Sequence, residues 1–123
     1  MSTTNAALLA ALIAPWPLAV NDGLTATAAG GQSLGWPLVG GANRVIIAAN
    51  AGDSLVLPSL SGEAEGGGMV FVVNDAANAV SVYCGLGDTL NGTLNSSLSV
   101  ASGGFGIFVK VAANFDWRAA AFT

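Results

Sequence analysis

Met69-Val70-Phe71-Val72-Val73, followed by Asn78-Ala79-Val80-Ser81-Val82-Tyr83, decides the fold class of this chain. The first segment is apolar at every position, the pattern of a central strand covered on both faces. The second alternates, so Val80 and Val82 face one side while Ser81 and Tyr83 face the other. Asn74-Asp75 lies between the two segments, and both residue types favour a chain reversal.

Outward from this centre the same texture recurs. Arg44 to Ala49, Ser54 to Leu57, Ser97 to Val100, Phe105 to Val111 and Asp116 to Phe122 all read as short strands. Leu24 to Ala28 and Leu34 to Val39 are weaker candidates, and Pro37 demotes the second to a sheet edge. Asn91-Gly92 is a strong hairpin signal, since both residues tolerate positive φ. Gly52-Asp53, Gly87-Asp88 and Ser102-Gly103-Gly104 punctuate the other runs, and Gly66-Gly67-Gly68 reads as a flexible connection. Strands spaced by roughly 8–12 residues predict an all-β sandwich or barrel. No interval has room for a crossover helix, which argues against a parallel α/β fold. No clean internal repeat is present, which disfavours a solenoid or propeller.

Residues 1–20 differ in character from residues 21–123, which form one β domain. Ala6 to Ala14 is an apolar run between the polar Ser2-Thr3-Thr4-Asn5 and Pro15-Trp16-Pro17. No Lys or Arg precedes it, so it lacks the positive region of a secretory signal. It is also too short to span a bilayer, and no membrane association is expected. The pattern predicts a short helix, capped by the polar cluster and stopped by the prolines. Such a helix is marginal alone. Residues 1–20 are therefore expected to act as an arm that docks on its own domain or on a neighbouring subunit. Leu8, Leu9, Leu12, Ile13, Trp16 and Leu18 are its candidate assembly contacts. Trp36 is a further candidate, because Trp is over-represented at interface hot spots. The alternative for these tryptophans is that they plug the ends of the sandwich.

Charge content narrows the function classes. Charged residues make up 8% of the chain and apolar residues 53%, whereas ordinary soluble proteins carry about 25% charged residues. Surfaces so poor in charge tend to be covered by partners. The net charge is −4, and Arg44, Lys110 and Arg118 are scattered, so direct nucleic-acid binding is not expected.

The catalytic inventory is poor. The chain has no histidine, the commonest general base and metal ligand. Lys110 lies in an alternating strand and is expected to face solvent or an edge. The carboxylates accompany turns, where they bond backbone amides. Asp75 and Asp88 lack the spacing of a calcium loop, and the glycine clusters lack the lysine of a phosphate loop. Cys84 is alone and reads as a small buried hydrophobe. No enzyme activity, metal or cofactor is expected.

From Gly23 to Thr123 the chain resembles a family of small bacteriophage virion proteins, comprising capsid decoration (cement) and minor structural proteins. The likeness is carried by Leu24 to Gln32, Asn43-Arg44-Val45 and Ser54 to Pro58. It continues through Val72 to Tyr83, Gly87 to Gly92, Ser99 to Gly104, Phe108 and Trp117. This sequence has Cys84-Gly85 where such relatives often have a proline after the aromatic residue. The resemblance implies a jelly-roll-like sandwich on the outer surface of a virion. Its implied partners are the major capsid protein and copies of itself, as a dimer or trimer. A second reading is a tail or appendage module binding host glycans through Trp36, Tyr83 and loop acids.

Overall fold

The structure, a computed structural model, describes residues 20–60, 68–111 and 115–123. Among these residues the chain runs through β1 (Val20–Thr25), α1 (Gly31–Leu34), β2 (Trp36–Pro37), β3 (Gly41–Ile47) and β4 (Asp53–Val56). It continues as β5 (Met69–Asn74), β6 (Val80–Tyr83), β7 (Thr89–Leu90), β8 (Thr93–Leu94), β9 (Ser97–Val100), β10 (Phe105–Val111) and β11 (Asp116–Phe122). Two sheets form, in the orders β1-β3-β5-β10-β11-β7-β8 and β2-β4-β6-β9. The fold is all-β and sandwich-like, as the strand spacing predicts.

The connectivity is less expected. From β1 to β6 successive strands alternate between the two sheets. β3 pairs parallel with β1 and β5, and β4 pairs parallel with β2 and β6. The opposite sheet supplies the crossover that a parallel pair needs, so no helix is required. This first half is a two-sheet coil in spite of the missing sequence repeat. Jelly rolls, in contrast, are antiparallel double sheets. Antiparallel pairing enters afterwards, with β9 on β6 and with β10 between β5 and β11.

Inward-facing residues from both sheets make one buried cluster. Val45, Val70, Val72, Phe108 and Trp117 come from the larger sheet, and Leu55, Val80, Val82 and Val100 from the smaller. Each such side chain contributes about 1.5–3 kcal/mol by leaving water. Gly106 faces inward beside Phe108, where an added Cβ would stand 2.9 Å from the Phe108 ring. Glycine at this position leaves room for the ring. The predicted alternation of β6 is present, with Val80 and Val82 buried and Ser81 and Tyr83 half-buried. Pro37 lies on an edge strand, as predicted.

Several expectations are revised. Leu34 to Val39 is not one strand, because α1 ends at Leu34 and β2 spans two residues. Lys110 is 9% exposed and does not face solvent. It shares the inward side of β10 with Gly106 and Phe108, and its stem lies beside Gly68. A long aliphatic stem can line an apolar surface in this way. The expected helix in residues 1–20 and the glycine connection at 66–67 lie outside the described residues.

The passages between sheets are held by side-chain amides and carboxylates. Asn74 is fully buried at the end of β5. Its Nδ2 donates to the carbonyls of Asn78 and Val100 at 3.0 Å each, and its Oδ1 accepts from Ala76 N–H at 3.0 Å. Replacing Asn74 with alanine leaves three backbone groups without this partner, each costing about 1–3 kcal/mol. Urea denaturation of Asn74→Ala is expected to show a loss of about 3 kcal/mol or more, whereas Ser99→Ala on an exposed strand position should shift stability by under about 0.5 kcal/mol.

Candidate interaction surface

The outward side of the seven-stranded sheet is built by the same alternation that fills the core. On β5, Val70, Val72 and Asn74 point inward, so Met69, Phe71 and Val73 point outward. On β10, Gly106, Phe108 and Lys110 are buried and Phe105, Ile107 and Val109 lie on the other side. The ladders align these residues in rows. Ala42, Phe71, Ile107 and Ala120 form the middle row. Arg44, Val73, Phe105 and Phe122 form the row on one side of it. Met69, Val109 and Arg118 form the row on the other.

This face is apolar and open among the described residues. Phe105 is 42% exposed, Phe122 45%, and Val73 and Val109 38% each. The Phe105 and Phe122 rings stack with centroids 5.0 Å apart. The continuous apolar run of β5 predicts a strand covered on both faces, yet the described chain covers only one.

Charge is confined to two corners. Arg44 bonds Asp75 at 2.7 Å and Asp22 at 3.0 Å. These bonds hold the Asp22 carboxyl below its usual value, Arg44 being the main cause, and raise the Arg44 guanidinium. At the diagonally opposite corner, Arg118 Nε bonds Asp116 Oδ2 at 2.7 Å. Asp116 is 4% exposed, and it also accepts from Thr89 Oγ1 at 2.5 Å and Gly92 N–H at 3.1 Å. Burial alone would raise its pKa, but the Thr89, Gly92 and Arg118 bonds together outweigh it and lower the value. Asp116 thereby fastens the β7–β8 hairpin to β11. Asn91 and Gly92 make the turn at φ 50° and 83°, as Asn-Gly predicts, and Asn91 exchanges two further bonds with Ala119.

The other sheet presents a different outside. Ser54, Ser81 and Ser99 are in register across it, beside a row of Val56, Tyr83 and Ser97. Ser54 is buried under the Gly30 end of α1. Among the described residues one outer face is therefore polar and partly covered, the other apolar and bare.

Of the predicted assembly contacts, Leu8, Leu9, Leu12, Ile13, Trp16 and Leu18 lie outside the described residues. Trp36 sits on the edge strand β2 of the serine-bearing sheet, 45% exposed, and takes no part in the apolar face. Trp36 is in register with Leu55 and Val82, whereas Tyr83 is in register with Val56 and Pro37. The alternation thus separates the two aromatics that a glycan platform would share. Phe71, Phe105, Ile107, Val109 and Phe122 were not among the predicted contacts. The sequence signal for this face is the unbroken apolar run of β5, which contains Phe71 alone of these residues.

The predicted turn acids are structural. Asp75 pairs with Arg44, and buried Asp88 accepts from Leu60 N–H at 2.8 Å. Among the described residues no group of three His, Cys, Asp or Glu is placed to hold a metal. A cavity of about 70 Å³ is lined by Gly40, Pro58, Gly68, Met69, Val70, Lys110 and Trp117. Ligand pockets are several-fold larger, about 300 Å³ and upward. Among the described residues the buried Trp117 Nε1 has no hydrogen-bond partner, and a cavity of this size suits ordered water. Cys84 is fully buried, as expected, with Sγ 3.4 Å from the carbonyls of Asp88 and Ser96. Burial pushes its thiol pKa up, away from nucleophilic use.

No family model and no curated protein sequence matches the chain.

Two measurements check this account of the surface. Because the folded pKa of Asp116 is lowered, its contribution is present above the ordinary carboxylate range and fades as pH falls through the lowered value. Asp116→Asn should therefore be less stable than the parent at neutral pH, with the difference shrinking as pH falls below the ordinary carboxylate range. A constant difference across that titration would contradict the assignment. Cys84 should react with a thiol reagent only after denaturation, and rapid labelling of the native chain would show that its burial is wrong.

Proposed function

We propose that this chain is a non-enzymatic structural subunit of a bacteriophage virion, a capsid decoration (cement) protein that binds the outside of the shell and bridges capsomers. The observation that carries the assembly role is the bare apolar face of β5, β10 and β11, with charge held at its corners. A contiguous apolar face of this kind marks a protein interface. The 8% charged composition supports the same reading, as does the use of Asp88, Asn74 and Asp116 in holding the fold together. The phage setting rests on the resemblance of Gly23 to Thr123 to small virion proteins.

The mechanism is mechanical. A subunit that touches several shell proteins, and copies of itself, releases only when all contacts open together. Apolar burial supplies roughly 25 cal/mol per Å², reduced by the cost of ordering the contacting segments. Residues 1–20, with Leu8, Leu9, Leu12, Ile13, Trp16 and Leu18, are assigned to the shell contact. The glycan-binding alternative has no observation in its favour, since Trp36 and Tyr83 do not share a face.

Cryo-electron microscopy of particles carrying the full chain is the deciding measurement. Regular density on the outside of the shell is expected, and density confined to the tail would overturn the cement reading. Replacing Leu8, Leu9, Leu12 and Ile13 together with aspartate should reduce occupancy on particles by at least about tenfold, while the circular dichroism spectrum keeps its β signature.

A further inference from the structure

We propose that the outer face of the seven-stranded sheet packs against the same face of a second copy of this chain, making a two-fold dimer. The proposal deepens the reading of this face as an assembly surface by naming its occupant.

The pattern of the face suits itself. The middle row runs Ala42, Phe71, Ile107, Ala120, with the bulky residues at the centre and small ones at both ends. No charged residue lies in that row. Arg44 with Asp75 stands at one corner and Arg118 with Asp116 at the diagonally opposite one. A two-fold axis in the plane of the interface, crossing between Phe71 and Ile107 and bisecting that diagonal, lays the Arg44 corner of each copy over the Arg118 corner of the other. Neither charged corner then rests on apolar surface. Each corner already carries both signs, so the face meets its own copy without like-charge repulsion.

Size supports the same occupant. The face is four strands wide at about 4.8 Å per strand and three outward residues deep at about 7 Å per pair. Two such faces bury on the order of 1,000 Å² of accessible surface, the lower limit for a stable pair. Packing of open sheets face to face at about 10 Å is an ordinary arrangement. Among the described residues the opposite sheet shows no comparable surface, because serines occupy much of its two outward rows, Ser54, Ser81 and Ser99 in one and Ser97 in the other.

Sedimentation equilibrium of the full chain tests the proposal. The expected mass is about 24 kDa, twice the 12.1 kDa of one chain, and it should persist at high salt because the contact is apolar. Val73→Glu and Val109→Glu each place a carboxylate inside the interface but beside an arginine of the same sheet, Arg44 or Arg118. The monomer should tolerate these changes, as thermal melting would report, while dimerisation weakens at least about tenfold. Ser99→Glu, on the other sheet, should leave dimerisation unchanged. Ile107→Cys, next to the axis, should give a disulfide-linked dimer under mild oxidation, and Ser99→Cys should not.

A monomer at every concentration would overturn the proposal and assign the face to residues 1–19 or to another protein. Dimerisation indifferent to Val73→Glu and Val109→Glu would also overturn it, because the contact would then lie elsewhere. Particle binding is scored separately. A dimer that fails to decorate shells sinks the virion reading alone, and a monomer that decorates them sinks the dimer alone.

Discussion

The buried hydrogen bonds of Asn74 are the constraint on which the rest of the structure depends. Where β5 gives way to β6 the chain leaves one sheet for the other, and its backbone groups lose their ladder partners inside the protein. Asn74 supplies two donors and an acceptor there, tying together Ala76, Asn78 and Val100. The same solution recurs at other passages. Asn43 donates to the carbonyls of Val39, Gly41 and Phe71. Asn78 donates to Ala48 and Ala49, Asp53 accepts from Asn50, and Asp88 accepts from Leu60. A polar group left unpaired at any of these points costs more than a typical hydrogen bond contributes. The two-sheet coil is therefore possible only because Asn and Asp stand at its corners.

This use of polar residues has a consequence for chemistry. An amide or carboxylate that is buried and saturated by backbone groups is not available to a substrate. Asp53 and Asp88 are buried and accept from backbone amides, Asp116 is held by Thr89, Gly92 and Arg118, and Asp22 and Asp75 are held by Arg44. What remains on the outside of the larger sheet is apolar. The architecture thus divides its residues cleanly, with polarity at the sheet passages and apolar surface on both sides of β5 and β10.

Much of this was legible in the sequence because it is written in period and in turn chemistry. The alternation of Asn78 to Tyr83 gave the inward valines, Asn91-Gly92 gave the hairpin, and Pro37 marked an edge. Strand neighbours were not legible. Alternation states which face a residue takes, but not which strand lies beside it, so parallel coiling left no local trace. The charge of Lys110 points outward and its period inward, and the period prevails. Phe108 and Lys110 are two apart and must share a face, and Phe108 belongs to the core. The exposed apolar face was half legible. The unbroken run of Met69 to Val73 implies covering on both sides, whereas the described residues cover only one. Tryptophan drew the interface prediction toward Trp36, whereas the exposed apolar surface is built from Phe, Ile and Val on paired strands.

The arrangement of charge bears on what burying this face would cost. An unpaired ion at an interface loses its hydration on binding, a penalty of several kcal/mol that seldom returns in full. Here Arg44 and Arg118 already carry their carboxylate partners within the monomer, at 2.7 Å in both cases. Association need not find them new partners, and the central rows contain no ion to strip of water. The corners still interrupt the apolar surface, which limits its extent and disfavours indiscriminate sticking. A face built in this way gains from burial alone, so it suits permanent contact in an assembly better than steered, salt-sensitive recognition of a diffusing ligand.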